Sequence, residues 1–156
     1  MRTLAIDLGT RRIGLALSDE GACFATPLDV LQVSNPTQAV APILALIKKE
    51  SIQRLVVGLP LNMTDDSLGP QAKSTIQWSH QLSAQSNLPI IFVDERLSSF
   101  AAEQSLIDRK RGGEHITRKQ KMQRLDALAA ASFLQAFLDG KLSALSIPSP
   151  GTPGEG

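Results

Sequence analysis

Two unbroken apolar runs, at 54–59 (RLVVGL) and 88–93 (LPIIFV), constrain the fold of this chain more than any other feature. Neither alternates apolar with polar residues, so each suits a strand covered on both faces, as in a parallel sheet flanked by helices. Between them, a loop over 60–69 precedes a helix from about Pro70, where proline is tolerated because the first helical amides lack partners anyway. Ile76 and Leu82 fall on its inner side. Ahead of the first run, Val40, Ile43, Leu44 and Ile47 recur at helical spacing, and Lys48 and Lys49 complement the dipole of the last turn. Earlier still, 3–6 and 13–18 read as strands joined through Asp7-Leu8-Gly9-Thr10, a spacing that predicts an antiparallel hairpin. A third strand is expected over 23–33, with Pro27 placing it at an edge or at a bulge. The expected architecture is α/β: a mixed five-stranded sheet, a three-strand antiparallel meander plus two parallel strands, flanked by helices.

Beyond the second run, Ser98 is expected to cap a helix that buries Ala101, Ala102, Leu106 and Ile107. Residues 110–117 contain Gly112-Gly113 and three charges without an apolar stripe, and read as a mobile loop. A last helix over 119–138 carries Met122, Leu125, Ala129, Phe133, Ala136 and Phe137 on one face, and Gly140 is placed to end it. One domain over 1–140 is therefore expected, followed by a Pro/Gly-rich tail over 141–156 that is expected to be disordered.

With 156 residues and 42% hydrophobic content, one globular domain is the natural reading. A single cysteine, Cys23, rules out an internal disulfide framework. No charge-free apolar stretch reaches the ~18 residues of a membrane span, and Asp7 comes too early for a signal peptide, so a cytoplasmic location is expected. The net charge of +1 hides an uneven distribution. Between Arg109 and Arg124 lie seven basic residues and one acid, Glu114, which is either a solvated face or a polyanion-binding patch.

Three acids stand where an element meets the edge of the sheet: Asp7, Glu95 and Asp126. Each has an ordinary alternative. Asp7 can cap the turn amides, Glu95 can pair with Arg96, and Asp126 can face solvent. Asp94 and Glu95, adjacent on an extended chain, point to opposite faces. Three carboxylates converging from separate elements make an oxygen-ligand site suited to magnesium, which keeps waters and takes substrate phosphate oxygens. Paired divalent ions in such a site hydrolyse phosphodiesters, and the basic block would hold the nucleic-acid backbone.

The segments Ile6-Asp7-Leu8-Gly9-Thr10-Arg11-Arg12-Ile13-Gly14, Val56-Val57-Gly58-Leu59-Pro60-Leu61-Asn62-Met63, Gly69-Pro70, Asp94-Glu95-Arg96-Leu97-Ser98 and Arg124-Leu125-Asp126 resemble the bacterial YqgF family, also called RuvX. The resemblance covers nearly all of residues 3–139. It implies a ribonuclease H-like fold and a nuclease that processes the 5′ end of pre-16S rRNA, or a Holliday junction resolvase-like enzyme. It also implies that Asp7, Glu95 and Asp126 are the catalytic, metal-binding acids, with Mg2+ or Mn2+ as cofactor. Arg12, Asn62, Arg96, Arg118, Lys119, Lys121 and Arg124 are the candidate substrate contacts, Arg96 more as a brace. Arg11 and Ser98-Ser99 replace the Lys and Thr pair of many members, and loop 64–68 departs from a common Asp-Gly-Thr pattern.

Other functions stay open at this level. Asp7-Leu8-Gly9-Thr10 also resembles the phosphate-binding turn of actin-like ATPases and sugar kinases, although those enclose ATP between two such domains. A non-catalytic RNA- or junction-binding protein of the same fold is the third reading. His80 and His115 lack partners at zinc-ligand spacing, and with no Tyr and 4% aromatic residues a base-stacking surface is not supported. Trp78 is expected in the core, and Cys23 as a small buried or edge residue. No membrane partner is expected, and a monomer is the expected state.

Overall fold

The computed structural model describes residues 1–61, 67–96 and 118–147, with the backbone alone for 118–124. The strands are β1 (Thr3–Leu8), β2 (Arg12–Ser18), β3 (Ala25–Gln32), β4 (Arg54–Leu59) and β5 (Ile90–Asp94). The helices among the described residues are α1 (Val40–Lys49), entered through a 3-10 turn at Pro36–Ala39, α2 (Pro70–Ser86) and α3 (Arg118–Leu138). The sheet order is β3-β2-β1-β4-β5. β1 to β3 form the antiparallel meander, and β1–β4 and β4–β5 are parallel, which is the mixed sheet expected from the sequence.

Side chains alternate across this sheet and separate two cores. Leu4, Ile6, Ile13, Leu15, Leu55, Val57 and Phe92 face α1 and α2, meeting Ile43, Ile47, Trp78 and Leu82. Trp78 belongs to this core, and its indole N–H donates to the carbonyl of Pro36 at 3.0 Å. Ile76 is half-buried against it. The opposite face is built from small residues: Ala5 and Ala16 from the sheet meet Ala130 and Ala131 of α3, with Phe133 and Leu134 as the large members. Small side chains on both partners let α3 lie close against the strands.

Three boundaries differ from the sequence reading. β1 continues through Asp7 and Leu8, which pair with Gly14 and Ile13 of β2. A carboxylate does not end the strand here, because the ladder is made by backbone groups and not by side chains. β3 begins at Ala25, two residues late, because the Asp19 carboxylate gathers the amides of Cys23 and Phe24 at 2.8 and 2.9 Å into a loop. Cys23 is exposed in that loop, just ahead of the edge strand. Along β3, Leu15 faces Asp29 while Ala16 faces Pro27, so Leu28 is the extra residue of a bulge on this edge strand.

The third difference is at the C-terminal end. Gly140 takes a left-handed φ of 77°, its N–H donates to Phe137 O, and the Lys141 N–H donates to Ala136 O at 2.8 Å. This is the Schellman closure expected of a glycine after a helix. The chain does not leave the body there. The Leu145 N–H donates to Phe92 O on the outer edge of β5 at 2.7 Å. Leu145 and Ile147 pack against the α1–α2 core, and Leu142 against the α3 core. Residues 141–147 are thus held to the sheet through Leu142, Leu145 and Ile147. Residues 148–156, the expected helix after Ser98 and the loop over 110–117 lie outside the described residues.

Candidate active site

Asp7 lies near the end of β1 on the α3 side of the sheet, and its neighbours on that side are two glycines. Gly14 is its direct partner on β2, and Gly58 follows Val57, the β4 partner of Ile6. A Cβ at Gly14 would stand 2.0 Å from the carbonyl oxygen of Asp126 and 3.0 Å from the Ala127 nitrogen. The α3 backbone therefore rests directly on β2, which brings Asp126 in beside Asp7. A Cβ at Gly58 would stand 2.8 Å from Phe133 Cε2, 2.9 Å from Glu95 Cβ and 3.1 Å from Glu95 Oε2. Glu95 folds back into the space that glycine leaves. The sequence reading gave neither glycine a role, although a glycine inside an apolar strand is itself a signal of close approach.

Glu95 follows β5 directly, and its N–H donates to Leu59 O at 3.2 Å. Its neighbours brace the turn. The Arg96 Nε donates to both Asp94 carboxylate oxygens at 2.9 and 3.0 Å, and the Arg96 amide donates to Asp94 Oδ1 at 3.0 Å. Asp94 and Arg96 thus close on each other while Glu95 points to Asp7.

Asp7 and Glu95 share a carboxyl–carboxyl hydrogen bond. Burial pushes the Asp7 carboxyl up to about 6, with the Asp126 charge adding to the rise and the Glu95 bond opposing it. Glu95 is pushed up to about 9, by burial first and then by the Asp7 charge, the bond to Asp7 and the Asp94 charge. At neutral pH Glu95 donates and Asp7 accepts. Burial also raises Asp126, against the lowering effect of Arg12, whose Nε donates to Asp126 Oδ2 at 2.8 Å. Asp94 is held below the usual carboxylate range, chiefly by its bond to Arg96.

Beside this cluster opens a cleft of about 370 Å³ lined by Gly9, Thr10, Arg11, Arg12, Gln71 and Asp126. Of the candidate site residues, Asp7, Glu95, Asp126 and Arg12 come together here, and Arg96 turns to Asp94. Arg118, Lys119, Lys121 and Arg124 lie on α3 ahead of Asp126. Their side chains, like Asn62, lie outside what the structure describes.

The donor chemistry suits a hard divalent cation: carboxylates from three elements, two of them buried together and sharing one proton. Among the described residues no three His, Cys, Asp or Glu side chains stand as a complete ligand group. Asp126 is turned to Arg12. The donor types fit the ion, while the three carboxylates are not gathered around one point in this structure.

Comparison with known proteins agrees with the architecture. A chain from Roseiflexus sp. (strain RS-1) named "Putative pre-16S rRNA nuclease" is 43% identical over 140 residues, covering 90% of this chain and 95% of the relative. One of the same name from Rhizobium rhizogenes is 40% identical, covering 92% and 84%. The solved structure of T. thermophilus RuvC in complex with Holliday junction substrate superposes with a TM-score of 0.59 at 18% identity, covering 93% of this chain and 99% of that one. The Fowlpox virus resolvase with Holliday junction DNA gives 0.52 at 10% identity, covering 88% and 99%. These likenesses establish the ribonuclease H-like resolvase fold. Residues 1–140 match the family model described as "RuvX: Holliday junction resolvase", and with relatives of about 40% identity along most of its length the chain belongs to the RuvX family.

Proposed function

We propose that this chain is a divalent-metal-dependent nuclease that hydrolyses phosphodiester bonds, with pre-16S rRNA as its substrate. The observation that carries the reading is the contact of Asp7 with Glu95 beside Asp126. Buried acids are forced to share a proton where a cation would relieve them. The relatives' shared name points to the rRNA precursor. The family description favours a second reading, in which the substrate is a branched DNA.

Asp7, Glu95 and Asp126 would hold Mg2+ or Mn2+, and the bound ion supplies activation of water and stabilisation of the leaving oxygen. The chain's own residues do the rest. Glu95 gives up its shared proton on loading, so both oxygens of each carboxyl become acceptors. Asp94 and Arg96 keep the Glu95 turn in place. Arg12, with Arg118, Lys119, Lys121 and Arg124 along α3, grips the phosphate backbone, which positions the strand without reading its bases. All three acids come from one chain, so a monomer suffices. Residues 1–140 are the nuclease domain, working in the cytoplasm; no described helix is long and apolar enough to cross a membrane.

The test is cleavage of end-labelled pre-16S RNA, generic single-stranded RNA and a four-way DNA junction with magnesium or manganese, wild type against Asp7→Asn. Cleavage of the rRNA precursor that is lost in Asp7→Asn supports the reading. Preferential cutting of the junction moves the assignment to branched DNA. Salt-sensitive binding without any cleavage overturns the nuclease reading in favour of a binding factor.

A further inference from the structure

We propose that Arg12 is an exchange partner for Asp126. It holds this carboxylate while the site is without metal, and transfers to a backbone phosphodiester when nucleic acid arrives, so that substrate and metal binding reinforce each other. This rests on reading Asp7, Glu95 and Asp126 as metal ligands. The backbone of each partner is fixed while the side chains are not. Arg12 is anchored by its carbonyl, which accepts the Gly9 N–H at 3.0 Å, and by its register with Gln32. The Asp126 carbonyl is wedged over Gly14. Rotation of the two side chains can therefore break the pair without moving β2 or α3.

The pair is exchangeable. Its side chains are 38% and 26% exposed, so water screens the pair and can replace either partner. A cation at 2.8 Å from Asp126 Oδ2 competes with a divalent ion for the same oxygen. The competitor for Arg12 has a place to sit: the adjoining cleft sets Thr10, Arg11 and Gln71 around Arg12. A guanidinium binds phosphate through two parallel bonds and is suited to that exchange. Once Arg12 is on the phosphate, Asp126 is left without its cation beside Asp7 and Glu95, which raises its affinity for the ion. Linkage makes the effect reciprocal.

The test uses the full metal-free chain, with Mn2+ binding followed by the spin-resonance signal of the free ion. Dimethyl phosphate, a phosphodiester monoanion, serves as the probe at constant ionic strength. Arg12→Gln is expected to tighten Mn2+ binding about tenfold, within the ordinary range of coupling between sites. Arg11→Gln, which removes the same charge from the same cleft, is expected to change it by no more than about twofold. Dimethyl phosphate is expected to tighten Mn2+ binding to the wild type and to have no effect on Arg12→Gln. Equal affinities in Arg12→Gln and Arg11→Gln, with binding still lost in Asp7→Asn, overturn the exchange and leave the nuclease reading standing. Absence of Mn2+ binding in both the wild type and Arg12→Gln overturns both.

Discussion

Gly14 of β2 carries the backbone of Asp126: a Cβ at this glycine would stand 2.0 Å from the Asp126 carbonyl oxygen, deep inside contact distance. The obstruction is backbone, not a flexible side-chain tip, so only movement of the helix relieves it. Gly14→Ala is expected to cost at least the ~1–3 kcal/mol of ordinary overpacking, read as a lower urea midpoint, and to lose metal-dependent activity. An alanine variant with unchanged midpoint would contradict the close approach.

Gly58 makes room differently, because its nearest neighbours are side chains, the Phe133 ring and Glu95. Gly58→Ala should destabilise by roughly 1–3 kcal/mol. Adding Phe133→Leu relieves the ring contact but not the contact with Glu95. The double variant is therefore expected to regain part of the lost stability while Mn2+ binding stays weak. Recovery of both together would show that Glu95 is not positioned by the glycine.

Metal-free stability should fall as pH rises. Asp7 and Glu95 both bind their protons more tightly folded than unfolded, with values of about 6 and about 9 against ordinary values of 3.8 and 4.5. Their contribution is complete below the ordinary values and is lost as pH climbs through the folded ones. Between about pH 5 and about pH 9 the melting temperature of the metal-free chain is expected to decline. Asp7→Asn and Glu95→Gln should each flatten the decline. Asp94, whose value is lowered, acts in the other direction and only in acid, losing its contribution as pH falls below the ordinary carboxylate range. A melting temperature that rises across the interval in wild type would refute the shared-proton arrangement.

Gln135 joins α3 to the start of β3. Its Oε1 accepts the Ala25 N–H at 2.8 Å and its Nε2 donates to Cys23 O at 2.9 Å. Gln135→Ala leaves the half-buried Ala25 amide without that acceptor and is expected to cost about 1–2 kcal/mol in urea unfolding. Retention of the wild-type midpoint would mean water replaces the bond at no cost.

Much of the fold was legible because burial leaves a local trace. The run at 54–59 is β4 from end to end, since a strand covered on both faces must be apolar throughout. The edge position of β3 was legible from Pro27. The end of β1 was not, because Asp7 interrupts the apolar pattern and only its backbone pairing with Gly14 shows that the ladder continues. The anchoring of 141–147 escaped for a similar reason. Leu142, Leu145 and Ile147 follow no helical or strand period, and their burial depends on where β5 presents its edge.

By itself the sequence determined the elements, their order and the three acids worth attention, because periodicity, turn residues and isolated charges are properties of a few neighbouring positions. Only the tertiary structure decided how those acids meet. Arg12 and Asp126 lie 114 positions apart, and their contact depends on α3 settling into the space above Gly14. The partnership of Asp7 with Glu95 depends in the same way on the emptiness at Gly58. The missing side chains that allow these contacts belong to neither residue of either pair, so they leave no pattern at the positions that meet.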